Sequence, residues 1–247
     1  MHRLAVLSRV EFKLFLRNFY SVFFAFAFPV GMLLLYGSMY GNTPSEYMNG
    51  YGTVDYSMPA YCCMVIAVTG LMSLPLTIAS YRERKILKRM MASPVQPSQL
   101  LAAQVIIHFV MTGLGMGLLL VAGGLLYHLH FMGRLLPVVA TYTLTTLSMF
   151  SIGLLIAGLL PSSRAVNLVS YLLYFPMLFL SGATIPMQMM PQGVRVISRA
   201  LPLTFGVELM QHAWLGNANA NAGMDVAVLT GILIVCTALA VSLFRWE

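Results

Sequence analysis

Long, uninterrupted apolar runs constrain the fold of this chain more than any other feature. The 247 residues are 59% hydrophobic and only 9% charged, with a mean hydropathy of +0.83. Soluble domains carry about 25% charged residues, so most of this surface cannot face water. Inside lipid only helices and closed barrels satisfy the backbone, and barrel strands would alternate instead of forming continuous runs. The sequence therefore predicts an all-α integral membrane protein.

The lengths of the apolar runs predict six transmembrane spans in one domain that covers residues 1–247. About 20 apolar residues cross a hydrocarbon core roughly 30 Å thick. The predicted spans are 19–40, 58–80, 101–127, 135–160, 165–187 and 225–244. Inside three spans, Pro29, Pro75 and Pro176 predict kinks whose freed carbonyl groups find other partners. In the third span, Gly113 and Gly117 predict close contact with another helix.

The basic residues are distributed unevenly between the two sides of these spans. Eleven of the fourteen lie on one side, and three, Arg134, Arg195 and Arg199, lie on the other. Because flanking positive charge resists translocation, we expect both termini in the cytoplasm and the chain in the cell membrane. The net charge of +7 is then explained by topology and contact with anionic lipid headgroups, and no nucleic-acid partner is expected.

The segment before the first span, residues 1–18, has a basic amphipathic pattern. On a helical wheel its basic residues share one arc, with leucine and phenylalanine opposite. These basic residues are Arg3, Arg9, Lys13 and Arg17. The pattern predicts a helix that lies on the membrane interface. Glu11 falls on the apolar side of this helix, where we expect it either to meet a basic or hydroxyl partner or to remain a simple interfacial charge.

The loop at 82–98 carries five of the fourteen basic residues between two long apolar runs. On a helical wheel of residues 82–91, the basic side chains lie on one side and the isoleucine, leucine and methionine side chains lie on the other. Pro94 and Pro97 end the helix. The pattern predicts a short amphipathic helix whose exposed surface another protein can grip. An ordinary loop that only fixes the topology is the alternative.

Residues 186–216 fit neither a single span nor a free loop, because an apolar stretch is interrupted by helix-breaking residues. These are Pro186, Pro191, Gly193 and Pro202. Two short helices that dip back into the membrane would account for the pattern, so we predict an outer re-entrant segment at 188–216 that forms an external gate. Glu208 is its one acid, and we expect it to pair with Arg195 or Arg199.

The predicted spans contain few ionisable residues and many adaptable apolar ones, including most of the nineteen methionines. This composition suits the passage of an amphiphilic molecule. The candidate pathway residues are Phe24, Phe28, Tyr171, Tyr174, Phe175 and Phe179. For each of them, packing inside the bundle or contact with lipid is the alternative.

Patterns for catalysis, metal binding or nucleotide binding are missing from the sequence. Cys62, Cys63 and Cys236 lie in predicted spans without metal-ligand spacing. His128 and His130 have no carboxylate nearby in the sequence and make a weak metal pair. A phosphate-binding loop needs Gly-Lys-Ser/Thr, and none of the lysines follows glycine. We therefore expect no catalytic residue, no metal site and no cofactor in this chain.

Two separated segments resemble one known family. The segment ERKILKRMMASPVQPSQLLAAQ (83–104) resembles the cytoplasmic loop of ABC-2 type transport permeases. The segment FLSGATIPMQMMPQGVRVISRALPLTFGVE (179–208) is similar to the region between their fifth and sixth spans. The resemblance covers essentially the whole chain. Lys85 stands where such permeases commonly have glycine, and Gln192 stands where an acidic residue is frequent.

The resemblance implies a permease that pairs with a second copy, or with a similar permease, and docks on two ATP-binding subunits. ATP and Mg would bind to those partners, whose closure would drive export of a drug, peptide, lipid or glycan. The helix at 82–91 would then couple the ATPase to spans two and three. The expected coupling residues are Glu83, Arg84, Lys85, Lys88 and Arg89. The alternatives are an integral membrane enzyme, or a passive channel or scaffold without an ATPase partner.

Overall fold

The computed structural model describes residues 12–13, 19–44, 50–85, 97–184, 187, 190–217 and 221–243. Helix α1 consists of Phe19–Val22, a π-helical turn at Phe23–Ala27, and Phe28–Tyr40. Helix α2 consists of Thr53–Val68, a π-helical turn at Thr69–Ser73, and Leu74–Glu83. The others are α3 (Pro97–Tyr127), α4 (Leu135–Leu159), α5 (Ser163–Leu180), α6 (Gln192–Ser198), α7 (Pro202–Leu215) and α8 (Ala222–Leu243).

Six of these helices, α1 to α5 and α8, are long and apolar enough to cross a membrane. They confirm the predicted all-α membrane fold. Helix α2 begins at Thr53 instead of residue 58, because the Asn42 side chain accepts hydrogen bonds from its first turn. Helix α5 ends at Leu180 instead of residue 187, and Gly182, with a φ of 85°, turns the chain just beyond it.

Helix α2 forms the centre of the bundle. Nearly all of its residues from Thr53 to Leu74 are buried, and it packs against α1, α3, α4, α5 and α7. Helix α8 packs mainly on α4 and is exposed over most of its surface. We call the end of the bundle at Glu83, which the charge distribution predicts to be cytoplasmic, the inner end, and the opposite end the outer end.

Two of the three prolines that predict kinks follow π-helical turns. The turn at Phe23–Ala27 precedes Pro29, and the turn at Thr69–Ser73 precedes Pro75. Proline has no N–H, and its ring clashes with the carbonyl group four residues before it. A π turn inserted before the proline absorbs this mismatch. At Pro29 and Pro75, where kinks are predicted, the helix therefore contains a π-helical turn that widens it locally.

The backbones of α2 and α4 touch at the second π turn. A Cβ atom placed on Gly153 of α4 would lie 2.0 Å from the carbonyl oxygen of Gly70. A Cβ atom on Gly70 would lie 2.9 Å from the Cβ of Met149. Both values are far below van der Waals contact, so only glycine permits this approach at position 153 without moving a backbone.

In α3 the approaches closer than 3 Å occur at Gly115 and Gly123, and not at the pair Gly113 and Gly117 that the spacing predicts. A Cβ atom on Gly115 would lie 2.7 Å from the side chain of Val65, whereas one on Gly117 would have nothing within 4 Å. The prediction from spacing was wrong about the position because it identifies small residues without showing which of them faces another helix.

Candidate functional site

The inner end of α2 is tied to the junction between α4 and α5. Arg82 donates from Nη1 to the carbonyl oxygen of Ala157 at 2.9 Å, and from Nη2 to that of Leu160. The next residue, Glu83, accepts a hydrogen bond from the backbone N–H of Ser163 at 2.6 Å. Two adjacent side chains of α2 therefore hold the end of one helix and the start of the next.

These contacts match the dipoles of the two helices. The last carbonyl groups of α4 form its negative end, where the Arg82 guanidinium lies, and the first N–H groups of α5 form its positive end, where the Glu83 carboxylate lies. Ser162 completes the start of α5, because its Oγ accepts from the backbone N–H of Ala165 at 3.2 Å. The inner end of α2 therefore joins the junction through both charge and hydrogen bonding.

Three of the predicted coupling residues lie beside this junction. Glu83 contacts α5 as described, while Arg84 and Lys85 are exposed. Lys85 has a φ of 53°, a left-handed conformation that glycine adopts most readily. This conformation gives a physical reason why glycine is common here in the permeases that the segment resembles. Lys88 and Arg89 lie outside the described residues.

The predicted interfacial helix at 1–18 falls almost entirely outside the described residues. Lys13 is helical and exposed, as is its neighbour Phe12. Arg9, Glu11 and Arg17 lie outside the part of the chain that the structure describes. The location of this segment on the membrane interface stays a prediction.

At the outer end, the side chain of Asn42 joins α1, α2 and α3. Its Oδ1 accepts from the backbone N–H groups of Val54 at 3.1 Å and Asp55 at 3.0 Å, which belong to the first turn of α2. Its Nδ2 donates to Asp55 Oδ1 at 3.0 Å and to the carbonyl oxygen of Tyr127 at 3.1 Å. One amide just beyond the end of α1 thus satisfies groups at the start of α2 and at the end of α3.

The Asp55 carboxylate extends this outer network to His130. It is only 2% exposed and accepts from the His130 backbone N–H at 2.8 Å, with His130 Nδ1 3.3 Å from Oδ2. No carboxylate is near His128 and His130 in the sequence, because Asp55 lies 75 residues from His130 along the chain. Among the described residues, no group of three His, Cys, Asp or Glu side chains is arranged to hold a metal ion.

Replacing Asp55 tests this outer network. We expect Asp55→Ala to lower the free energy of unfolding by about 3 kcal/mol, because donors of Asn42 and His130 lose their acceptor in a buried position. Asp55→Asn keeps one acceptor oxygen and should lose about half as much. The thermal midpoint of the detergent-solubilised protein is measured by using gel filtration to monitor the loss of folded protein. A wild-type midpoint for Asp55→Ala would contradict the network.

Helices α6 and α7 occupy the predicted outer segment. Pro191 immediately precedes α6 and Pro202 is the first residue of α7, where a fixed φ and a missing N–H are tolerated. Helix α7 packs against α2, α4 and α8. Pro186 lies outside the described residues. Whether these two helices dip into the membrane and act as a gate stays a prediction.

Besides a weak sulfur contact from Cys63 Sγ to Met210 Sδ at 3.9 Å, two hydrogen bonds join the α7 region to the α2 region. Gln211 Nε2 donates to the carbonyl oxygen of Tyr56 at 3.1 Å, and the hydroxyl of Tyr51 donates to Asn217 Oδ1 at 3.0 Å. The first bond lies within the bundle and the second is exposed to solvent. We call these two bonds the α7 contacts.

The expected ion pair of Glu208 with Arg195 or Arg199 is not formed. Glu208 forms no salt bridge with either arginine, all three being described residues, and Arg195 Nε donates to the carbonyl oxygen of Met190 at 2.9 Å. Burial raises the pKa of the Glu208 carboxyl, Asp225 raises it further, and Arg199 opposes the rise. Glu208 therefore lies in surroundings that favour its neutral form.

The six aromatic pathway candidates lie in different environments. Tyr174 is fully buried in the core. Phe24, Phe28 and Tyr171 are partly buried and pack against the same core. Phe175 and Phe179 are exposed on α5. Within one chain these aromatic side chains serve mainly as packing and surface residues, and their role in a pathway stays a prediction.

Comparison with known proteins gives consistent matches. Residues 2–215 match the family model of the ABC-2 type transporter. Nodulation protein J of Rhizobium leguminosarum bv. viciae is 31% identical over 137 residues, which are 55% of this chain and 51% of that protein. The same-named protein of Rhizobium meliloti (strain 1021) is 31% identical over 110 residues, 44% of this chain and 41% of that protein.

A more distant relative carries a different name. The probable multidrug ABC transporter permease YbhR of Escherichia coli (strain K12) is 21% identical over 171 residues, which are 68% of this chain and 46% of that protein. The chain therefore spans about half the length of the curated relatives that it matches.

Proposed function

Because the chain belongs to the ABC-2 type transporter family, we propose that it is the permease subunit of an ATP-driven exporter of amphiphilic molecules. It is a multi-pass membrane transport subunit and has no nucleotide-binding motif of its own. Beyond membership of this family, we propose three things: an ATPase partner, the outward direction of transport and the class of substrate. ATP and Mg would bind to the partner chain.

One observation carries the coupling part of this proposal. The exposed residues Arg84 and Lys85 directly follow Arg82 and Glu83, which hold the junction between α4 and α5. A partner that moves the loop after α2 would therefore displace two further helices through these contacts. This route differs from the sequence expectation, which directed the movement to spans two and three.

The distribution of charge supports the location of the partner. The inner end carries Arg82, Arg84 and Lys85, and the outer end carries the buried carboxylate of Asp55. Positive residues are retained on the cytoplasmic side of membrane proteins. Both termini would then lie in the cytoplasm, with the permease in the cell membrane and the ATP-binding subunits below it.

An exposed apolar stripe on α5 supports a second permease copy. Its residues are Leu168, Leu172, Phe175 and Phe179, all at least 40% exposed. Their spacing of four, three and four residues places them on one face of the helix. A second copy of this chain, or a similar permease, would cover this face, so that the assembly contains two permeases and two ATP-binding subunits.

The proposed substrate class follows from the character of the spans. Few ionisable side chains occur in the six spans, and such residues are the usual binding groups for ions and highly charged solutes in membranes. One relative is named a nodulation protein and another a probable multidrug permease. These different names fit a family whose members transport several kinds of substrate. A drug, peptide, lipid or glycan with an apolar part remains the proposed cargo.

Reconstitution tests the proposed function. The permease is placed in proteoliposomes with and without a candidate ABC ATPase, and both ATP hydrolysis and efflux of fluorescent amphiphiles are measured. We expect efflux only when both chains and ATP are present. Flux without ATP would favour a passive channel, and catalytic turnover by the isolated chain would favour an integral membrane enzyme.

Reversal of charge in the basic loop tests the coupling site. We expect Lys85→Glu, Lys88→Glu and Arg89→Glu together to leave the protein inserted while ATP hydrolysis no longer drives efflux, because the surface facing the ATPase changes sign. Efflux and ATP hydrolysis are measured in the same proteoliposomes. A triple replacement by glutamine is the control that separates loss of charge from repulsion. Unchanged efflux in the glutamate variant would remove this role.

A further inference from the structure

A cavity of about 480 Å³ lies at the outer end of the bundle, between α4, α7 and α8. Small-molecule sites in proteins usually enclose about 300–1,000 Å³, so its size suits a ligand. Its walls come from the start of α4, the last two turns of α7 and the first turns of α8. We call it the outer cavity. The residues that line it include Arg134, Thr141, Leu209, His212, Asn217 and Val226.

Two close contacts hold α7 against the α4 region on either side of the outer cavity. At the outer rim, a Cβ atom on Gly133 would clash with the carbonyl oxygen of Ala213. Deeper along α4, a Cβ atom on Gly206 would clash with the side chain of Thr145. Neither approach leaves room for a larger residue at the glycine position. Close packing on both sides therefore fixes the walls of the cavity.

Polar groups without protein partners lie in the lining of the outer cavity. Arg134 directly precedes α4, is exposed, and makes no hydrogen bond or ion pair with the described residues. The Tyr51 hydroxyl donates to Asn217 Oδ1 at 3.0 Å, so this amide presents its Nδ2 as a donor. His212 Nδ1 has no hydrogen-bond partner among the described residues. The lining therefore has unused hydrogen-bonding capacity, chiefly as donors.

The charge of the lining favours an anion. Arg134 is the one charged side chain among the described residues that line the cavity. Burial lowers the pKa of His212 and the nearby Asp225 opposes this decrease, so the imidazole is mainly neutral at neutral pH. Asp225 is buried in the first turn of α8 and does not line the cavity. Its charge disfavours an anion beside His212, so we expect the charged group of a ligand beside Arg134.

The deeper part of the outer cavity is apolar. Arg134 and Thr141 are seven residues apart on α4, which is about 10 Å along the helix. The Thr141 hydroxyl donates to the carbonyl oxygen of Pro137 at 2.9 Å, so it is already satisfied. Leu209 and Val226 line the cavity from α7 and α8. The cavity therefore combines a cationic rim with an apolar interior.

We propose that the outer cavity binds an amphiphilic phosphate, with its charged group beside Arg134 and its apolar group extending toward Leu209 and Val226. An arginine guanidinium presents a planar set of donors that matches phosphate oxygens, and Asn217 Nδ2 supplies a further donor. A lipid headgroup and a free phosphate ester share this chemistry. The site requires only the folded protein in its membrane, so it stands apart from ATP-driven export.

Titration with hexyl phosphate tests the charged part of the site. The full-length protein in phosphatidylcholine nanodiscs is titrated by calorimetry, and the signal of empty nanodiscs is subtracted. We expect Arg134→Gln to raise the dissociation constant about tenfold, equivalent to the loss of one hydrogen bond to a charged group. Arg199→Gln is the matched control, because this arginine is exposed on the same predicted side and lies outside the lining. Equal dissociation constants for the two variants, or no binding by the wild type, would overturn the site.

A comparison of hexyl with ethyl phosphate tests the apolar part. The wild type should bind hexyl phosphate at least about tenfold more tightly, since each buried methylene group favours binding by about 0.8 kcal/mol. Val226→Phe fills the apolar interior and should largely abolish this preference. Val235→Phe, at a position on α8 that is 56% exposed and outside the lining, should keep it, and both variants should retain the wild-type thermal midpoint. The same preference in both variants would place the apolar group elsewhere and contradict the proposal.

Lipid retention distinguishes the two sources of the phosphate. The protein is released from nanodiscs that contain equal amounts of phosphatidylcholine and phosphatidylglycerol, and native mass spectrometry counts the lipids that stay bound. A preference for phosphatidylglycerol that is lost in Arg134→Gln and kept in Arg199→Gln would identify a lipid headgroup as the ligand. Identical lipid retention by the wild type and both variants, together with weakened hexyl phosphate binding in Arg134→Gln, would identify a free phosphate ester.

Discussion

Gly153→Ala is expected to lower the free energy of unfolding by about 3 kcal/mol, the upper part of the usual range for overpacking. The added Cβ would lie 2.0 Å from the carbonyl oxygen of Gly70. Because both groups belong to helix backbones, neither can rotate away as a flexible side chain would. The thermal midpoint in detergent should fall by about 6–12 °C for a chain of this size.

A matched glycine in α8 provides the control for this substitution. A Cβ atom on Gly231 would have nothing within 4 Å, so Gly231→Ala should leave the midpoint unchanged or raise it, since alanine favours helix by about 1 kcal/mol over glycine. Similar midpoints for the Gly153 and Gly231 variants would show that α2 and α4 do not touch at the π turn.

Among single replacements, loss of the Arg82 side chain is expected to give the largest effect on transport. In Arg82→Ala, the α2 end loses the carbonyl groups of Ala157 and Leu160, so movement of the loop reaches the α4–α5 junction only through the Glu83–Ser163 bond. A coupling free energy of about 1–3 kcal/mol corresponds to a change of roughly 5–150-fold. We expect the amount of efflux per ATP hydrolysed to decrease by a factor in that range. Efflux and ATP hydrolysis are measured together in proteoliposomes that contain the ATPase partner.

Conservative variants distinguish this role from simple destabilisation. Arg82→Lys keeps the charge but lacks the planar donor pair that reaches two carbonyl groups, so it should recover only part of the efflux. Glu83→Gln keeps an acceptor for the Ser163 N–H and should remain close to the wild type. Arg84→Gln, at an exposed position, should change binding of the ATPase without changing efflux per ATP. Normal efflux per ATP in Arg82→Ala would refute the route through α4 and α5.

The span count could be predicted from the sequence because the bilayer sets the length of each apolar run. The helix starts at Pro191 and Pro202 could also be anticipated, since proline interrupts one helix and is well placed to begin another. These features depend on residues that are close together in the chain. The resemblance of 83–104 and 179–208 to one family rests on local sequence as well, and the family match confirms it.

Contacts between distant segments could not be predicted in the same way. Arg82 and Leu160 are 78 residues apart, and Asp55 and His130 are 75 residues apart. The expected partner of Glu208 was wrong because the sequence showed the charges but not their separation. In a membrane, residues that face lipid are as apolar as residues in the core. Hydropathy therefore could not show that Gly115, and not Gly117, faces another helix.

The hydrogen bonds of Asn42 have a consequence for how the outer end can open. They fasten the ends of α1, α2 and α3 to one another, so we expect these three helices to move together. At Gly182, which has a φ of 85°, the chain turns just before the predicted outer gate. If the gate at α7 opens as predicted, the bonds that break would include the two α7 contacts, Gln211 with Tyr56 and Tyr51 with Asn217. Those two bonds would then hold the closed state.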